Sequence, residues 1–189
     1  MADYTLTAEP PLAGYDQSFG AMRLMAPKDL ALVSIALPLG KEKAATKAIE
    51  VGYSCAFPDV GKAQLTKDKR TAVMRLATDQ AFVLFTRSEP DAADYVTEKI
   101  MNKAYVTDQT DVWSGLEISG PNCRTALERI CPIDLHPNSF AVNDVARTAM
   151  EHLGVIILRK DQETYLLLSA SSSAGSFLHA VETSLNNVS

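Results

Sequence analysis

The sequence predicts an α+β fold made of two ferredoxin-like βαββαβ halves. Two observations carry this expectation. Stretches with apolar residues at helical spacing alternate with pairs of strand-like apolar runs, and the pattern occurs twice, from Leu30 to Ile100 and from Val112 to Leu185. A doubly wound sheet would instead alternate single strands with helices. The expected organisation is an N-terminal arm over residues 1–25 and a single domain over 26–189, with subdomains at about 26–107 and 108–189.

Residues 1–20 hold Pro10, Pro11, Gly14 and Gly20 without sustained periodicity, which reads as an extended arm. The arm also carries Tyr4, Leu6, Leu12, Tyr15 and Phe19, a residue type in which disordered tails are depleted. It should therefore dock its side chains, either on its own domain or on another protein. Leu30 to Leu37 is a buried-strand candidate ended by Pro38-Leu39-Gly40, and Lys41 to Val51 reads as a helix through Ala45, Ala48 and Ile49, with Gly52 near its end. Thr71 to Ala77 and Ala81 to Thr86 flank Thr78-Asp79-Gln80 as a β-hairpin. Asp91 to Lys103 follows Pro90 and places Ala93, Val96 and Ile100 on one helical face.

In the second half, Val112, Trp113, Leu116 and Ile118 suit a strand broken once by Gly115. Ser119-Gly120-Pro121 stops it and opens a helix whose apolar face is Cys123, Ala126, Leu127 and Ile130, ended by Pro132. Trp113 is expected to be buried where this strand meets the Cys123-to-Ile130 helix. Asn143 to Met150 fits a helix through Val145, Ala146 and Ala149 and equally a strand through Ala146, Thr148 and Met150. Val155 to Leu158 and Tyr165 to Ser169 are strand-like runs around a polar turn at Lys160-Asp161-Gln162. Ala174, Phe177, Leu178, Val181 and Leu185 mark the last helix.

Composition narrows the function. The 189 residues carry a net charge of −5 with no cluster of Lys and Arg, which argues against nucleic acid. No apolar run approaches the ~20 residues of a membrane span. The start, Met1-Ala2-Asp3-Tyr4, has neither the basic nor the apolar region of a signal peptide, and three cysteines without a CxxC pair suit a reducing compartment, so a cytoplasmic location is expected. His136, His152 and His179 lack metal-ligand spacing to one another or to Cys, and no phosphate-cradling glycine motif is present. Ser169 to Ser173, broken only by Ala170, reads as the capping turn of the last helix. Asp108, Asp111 and Asp134 are the acidic candidates, without a visible partner that would split their pKa values. No catalytic, cofactor or metal residue is therefore expected in this chain. The residues expected to meet a partner are Tyr4, Leu6, Tyr15, Phe19 and Phe140, with the segment Asp134 to Phe140 as the second place to look.

Asp108-Gln109-Thr110-Asp111-Val112-Trp113, Glu117-Ile118-Ser119-Gly120-Pro121, Cys131-Pro132-Ile133-Asp134-Leu135 and Phe140 stand in an order that resembles the gamma subunit of heterotetrameric sarcosine oxidase. The likeness continues through Val145-Ala146-Arg147-Thr148, His152, Val155 to Leu158, Tyr165-Leu166-Leu167, Ser172, Ala174, Ser176 and His179. That family is related to the folate-binding aminomethyltransferase fold of the glycine-cleavage T-protein, which contains a duplicated core of the kind predicted above. The resemblance implies a non-catalytic subunit whose larger partners oxidatively demethylate sarcosine to glycine and hold FAD, FMN, NAD and tetrahydrofolate. The competing expectation is a free-standing folate-dependent one-carbon or aminomethyl transferase. The T-protein fold holds the pterin with an acidic residue after the strand corresponding to Gly154-Val155-Ile156-Ile157, where this chain has Leu158-Arg159-Lys160. Ser171 likewise stands where the gamma subunits carry Arg.

Overall fold

The computed structural model describes residues 9–87 and 91–189, so Tyr4, Leu6 and Pro90 lie outside the described residues. The chain opens with β1 (Asp16–Phe19) and β2 (Met22–Met25). The first half follows as β3 (Leu30–Ala36), α1 (Glu42–Tyr53), β4 (Lys62–Leu65), β5 (Thr71–Arg75), β6 (Gln80–Thr86), α2 (Ala92–Lys99) and β7 (Tyr105–Asp108). A 3-10 turn at Thr110–Val112 leads into β8 (Trp113–Ser119), α3 (Cys123–Glu128), β9 (Val145–Met150), β10 (Leu153–Asp161), β11 (Thr164–Ala170) and α4 (Ala174–Asn186).

The five-stranded sheet has the order β4-β5-β6-β3-β7, with antiparallel pairing throughout. In it β3, β5, β6 and β7 form a ferredoxin-like half, and β4 is an extra edge strand. The six-stranded sheet has the order β1-β2-β8-β11-β10-β9, so β8, β10 and β11 repeat the positions of β3, β5 and β6, and β9 repeats β4. The fourth place, beside β8, is taken by β2 from the other end of the chain, in the register Arg23 to Ser119, Leu24 to Ile118 and Met25 to Glu117. Within the arm expected to be extended, Asp16–Phe19 and Met22–Met25 are thus two strands of the second half's sheet. The alternation in β2 explains why they pack there: Met22 and Leu24 are buried while Arg23 faces out and pairs with Asp16.

The two sheets pack face to face, and the helices cover their outer faces. Leu32, Met74, Phe82 and Leu84 meet Val145, Ile156, Leu158, Leu166 and Leu168 between the sheets. Val33, Ile35, Val83 and Phe85 pack on α1 and α2 through Ala45, Ile49, Ala92 and Val96. On the opposite side Met22, Leu24, Leu116, Ile118 and Tyr165 pack on α3 and α4 through Cys123, Leu127, Phe177 and Val181. This layering accounts for the continuous apolar runs in β6, β10 and β11, which are buried on both faces. Along one side the sheets join: Ala63 N–H donates to the Asn143 carbonyl at 2.7 Å, Val145 N–H to the Gly61 carbonyl at 3.0 Å, and Lys62 pairs with Asp144 at 2.6 Å.

Several local expectations change for physical reasons. Asn143 to Met150 resolves as a strand because β10 pairs with it from Val145 to Met150. Gly52 keeps its expected place near the end of α1, one residue before Tyr53. A Cβ there would sit 2.4 Å from the Lys99 carbonyl at the end of α2, and the helix ends at Ser54 in the left-handed region. Helix α2 ends at Lys99, short of the expected Lys103, because Met101 and Asn102 both take positive φ. Trp113 does not meet the α3 helix. It shares the odd face of β8, which looks between the sheets, and its ring stands edge-on to Phe82 at 6.3 Å. Gly120 has φ of +105°, and a Cβ there would lie 2.5 Å from the Ala21 carbonyl, so the turn that ends β8 also admits the β1–β2 turn.

Because Leu24 is fully buried in a strand that completes the second half, Leu24→Ala is expected to cost about 2–5 kcal/mol. The neighbouring Arg23→Ala, which loses only an exposed pair, is expected to change stability by less than about 1 kcal/mol. Chemical denaturation of the two variants checks the contrast. Equal effects would mean that β2 does not carry the packing described.

Candidate functional site

A cleft of about 570 Å³ opens where the N-terminal turn, the linker between β2 and β3, the end of β7 and the start of β8 converge. Each wall has a local cause. The N-terminal turn is closed by Ala13 N–H donating to the Pro10 carbonyl at 3.0 Å and is tied to α4 by the Tyr15 hydroxyl, which donates to Glu182. Gln109 N–H donates to the Leu32 carbonyl at 2.8 Å and Leu32 N–H to Thr110 Oγ1 at 3.2 Å, which pins the 3-10 turn onto β3. Asp108 Oδ1 accepts from Thr110 N–H at 2.9 Å, and Ser171 Oγ donates to the Asp111 carbonyl at 2.7 Å. The lining includes Glu9, Asp29, Asp108 and Asp111, with Leu12, Pro27, Leu30, Trp113 and Ser114 beneath. A smaller recess of about 300 Å³ lies on the other side of Trp113, by Arg147 and Gly154.

Of the expected partner-facing residues, the described ones, Tyr15, Phe19 and Phe140, do not form one surface. Tyr15 and Phe19 are partly buried against the core of the second half, and burial together with the Glu182 carboxylate raises the Tyr15 phenol above its ordinary range. Phe140 is 6% exposed. Its N–H donates to the His136 carbonyl at 2.8 Å, and that turn carries the ring into the same core, so Phe140 is a core residue and not a surface anchor. Asp134 braces the segment by accepting from Ser139 Oγ at 2.6 Å and His136 N–H at 2.9 Å. The Ser139 hydrogen bond, its largest influence, holds the Asp134 carboxyl below the usual range.

The cation at the pterin-anchor position is a building element of the fold. Arg159 is 4% exposed and donates to the carbonyls of Phe140 at 2.6 Å, Gln162 at 2.8 Å and Asp161 at 3.3 Å, with its guanidinium over the Tyr165 ring. Leu158 is buried between the sheets, and Lys160 pairs with Glu117 on the surface. No carboxylate is therefore presented from these three residues. The serine run forms a 3-10 turn at Ser171–Ser173 leading into α4. Ser173 stands at the N-cap without a side-chain cap, while Ser169 Oγ donates to the Gly154 carbonyl at 3.1 Å. Among the described residues no three His, Cys, Asp or Glu come together as metal ligands, and no helix is long and apolar enough to cross a membrane. What sequence reasoning missed is the cleft itself, because its walls come from segments about a hundred residues apart.

Two outcomes are expected from these environments. Arg159→Ala is expected to lower stability by about 3 kcal/mol, since it strands carbonyls that share a charged donor; denaturant titration measures this, and an unchanged midpoint would mean that water replaces the guanidinium. Burial pushes the Cys123 thiol up to about 11, so at pH 8 a disulfide reagent should modify half-buried Cys55 and reach Cys123 only after unfolding. The raised value also fixes a sign. The folded chain keeps this proton while the unfolded chain loses it, so the contribution is full below about pH 9 and declines towards pH 11.

No family model matches the chain. The sarcosine oxidase subunit gamma of Corynebacterium sp. (strain P-1) is 29% identical over 109 residues, 58% of this chain and 54% of the relative. That of Arthrobacter sp. is 30% identical over 98 residues, 52% of this chain and 48% of the relative. The chain spans about half the length of the curated relatives it matches. Among solved structures, the heterotetrameric sarcosine oxidase from Corynebacterium sp. U-96 in complex with pyrrole 2-carboxylate contains a chain matched with a TM-score of 0.77 at 20% identity, over 94% of this chain and 90% of that one. The glycine cleavage system aminomethyltransferase T from Bartonella henselae matches with a TM-score of 0.62 at 12% identity, over 84% of this chain and 44% of that one. The chain is similar in sequence to sarcosine oxidase gamma subunits, and it shares its two-half α+β fold with the heterotetrameric oxidase and with the aminomethyltransferase.

Proposed function

We propose that the chain is the gamma subunit of a heterotetrameric sarcosine oxidase, a subunit without an active site of its own in a cytoplasmic complex that oxidatively demethylates sarcosine to glycine. The observation that carries this reading is the coincidence of two likenesses. Sequence similarity to gamma subunits from two genera falls on a chain whose fold matches a chain of the oxidase over nearly its whole length. In this reading the larger subunits are the partners and hold FAD, FMN, NAD and tetrahydrofolate. The Arg159 clamp supports placing folate elsewhere, since it spends the cation at the anchor position on backbone carbonyls.

The surface supports docking to a larger protein. Strand β7 is a sheet edge, and Tyr105 on it is 70% exposed. Leu39, 97% exposed, follows Ala36, the residue paired with Tyr105, by three positions. Met101, 56% exposed, precedes β7. Apolar side chains grouped at an open sheet edge are a usual mark of a covered surface.

Native-level expression with an affinity tag on this chain tests the proposal. The expected result is stoichiometric co-purification of larger flavin-containing chains, with sarcosine-dependent oxygen uptake in the purified complex. Recovery of a lone chain carrying tetrahydrofolate would replace the subunit reading with that of a free-standing one-carbon transferase.

A further inference from the structure

Strand β7 ends the first half's sheet, and no further strand among the described residues lies outside it. Hydrogen bonding shows which of its groups face outward. Gln109 N–H donates to the Leu32 carbonyl, and the register sets Thr107 opposite Ser34 and Tyr105 opposite Ala36, so these alternate residues turn their backbone bonds inward to β3. Val106 and Asp108 therefore present N–H and C=O along the open edge. The usual protections are missing: the pairing with β3 runs without a bulge, and neither proline nor lysine stands in Tyr105–Asp108. In the second half the strand at the same place, β2, is followed outward by another antiparallel strand, β1. An extended strand is thus the occupant that this edge fits. Its flanks carry opposite charge. Lys103 stands four residues before Thr107 and Asp111 four after it; both are exposed, and neither takes part in an ion pair among the described residues. Beyond them Met101 and Val112 are exposed apolar side chains.

We propose that, before assembly with any larger protein, two copies of this chain pair antiparallel through β7 about a two-fold axis, joining their five-stranded sheets into one. The proposal goes beyond the subunit reading and does not depend on it. Symmetry sets the register. An axis at Thr107 places Val106 of one copy opposite Asp108 of the other, and the two such pairs use every outward N–H and C=O of both residues. The same register sets Lys103 of one copy across from Asp111 of the other, twice. Any extended strand would satisfy the backbone, but the order of charges along this edge, basic then acidic, is complementary to its own reversed copy. Met101 and Val112 fall at the same two ends and add apolar surface beside each ion pair. The net charge of −5 on each copy opposes approach at long range. At physiological salt that repulsion is screened beyond about 8 Å, whereas the facing pairs act at contact. A larger partner that covers β7 must displace the second copy, so self-pairing keeps the edge covered until assembly.

Sedimentation velocity of the full chain alone across the micromolar range, with amide hydrogen exchange at both ends of that range, tests this. The expected result is a reversible dimer in which the Val106 and Asp108 amides exchange at least tenfold more slowly than in the dilute monomer. Thr107→Lys, at an exposed position that faces its own copy across the axis, is expected to give a monomer with unchanged circular dichroism. Lys103→Glu and Asp111→Lys each set like charges across the interface and should weaken the dimer about tenfold, and the two together should restore it. A chain that is monomeric at every concentration, a dimer undisturbed by Thr107→Lys, or a double variant no stronger than the single ones would overturn the proposal. If the chain alone is monomeric and Thr107→Lys blocks uptake of the oxidase's larger subunits, the edge belongs to that partner: the proposal falls and the subunit reading stands. If the chain dimerises as described but takes up no larger subunits, the subunit reading falls and the pairing stands.

Discussion

The pairing of β2 with β8 is the constraint on which the second half depends. A ferredoxin-like half needs a strand beside its first strand, and here that place is filled from the beginning of the chain. The pairing closes the backbone of β8, supplies Met22 and Leu24 to the core over α3 and α4, and delivers the N-terminal turn to one wall of the cleft. Gly120 makes the junction possible, because only a residue without Cβ lets the Ala21 carbonyl come so near. The Ser119-Gly120-Pro121 turn therefore serves two neighbours at once: it ends β8 and receives the β1–β2 turn.

Symmetry between the halves makes the same point from the other side. The first half obtains all its strands locally, and its sheet ends at β7 with no further strand among the described residues. The second half has β1 outside β2, a short polar edge whose Asp16 is held by Arg23. The second half's sheet thus carries a protected edge and the first half's an open one among the described residues, flanked by Leu39, Met101 and Tyr105. The joined side, where Lys62 and Asp144 meet, keeps the sheets in register, and the cleft lies where the linker and the 3-10 turn hold them apart.

The long elements are legible in the sequence because their patterns are dense. Helices α1 and α4, the β5–β6 hairpin and the β10–β11 hairpin each carry several consistent positions, and the duplicated order follows from them. The four-residue strands β4 and β7 are not legible, since so few positions cannot separate a strand from a loop. Strand β2 has a readable alternation in Met22, Arg23 and Leu24, but its partner lies more than ninety residues away and local pattern names no partner. Trp113 shows a finer limit: its burial is partly readable, but not the face of β8 it occupies, which register decides. In the sequence Phe140 reads as a partner-facing residue and Arg159 as a cation at a ligand position. Each is buried through the other, the carbonyl of one accepting from the guanidinium of the other. The cleft is hidden for the same reason as β2, being assembled from distant segments.

The borrowed strand also has a consequence for how the chain is made. During synthesis the first half has every strand and helix it needs once residue 108 has emerged, and it can fold as domains generally do, N-terminal unit first. Strands β1 and β2 have by then left the ribosome with Met22 and Leu24 uncovered, and they must wait for β8 and for the hairpin that follows it. Pairing of such high sequence separation is slow, and apolar strand edges are open to wrong partners meanwhile. The β1–β2 hairpin is therefore the segment most dependent on timing, and a chain stalled before β8 would carry all strands of the first half together with an unpaired, aggregation-prone β2.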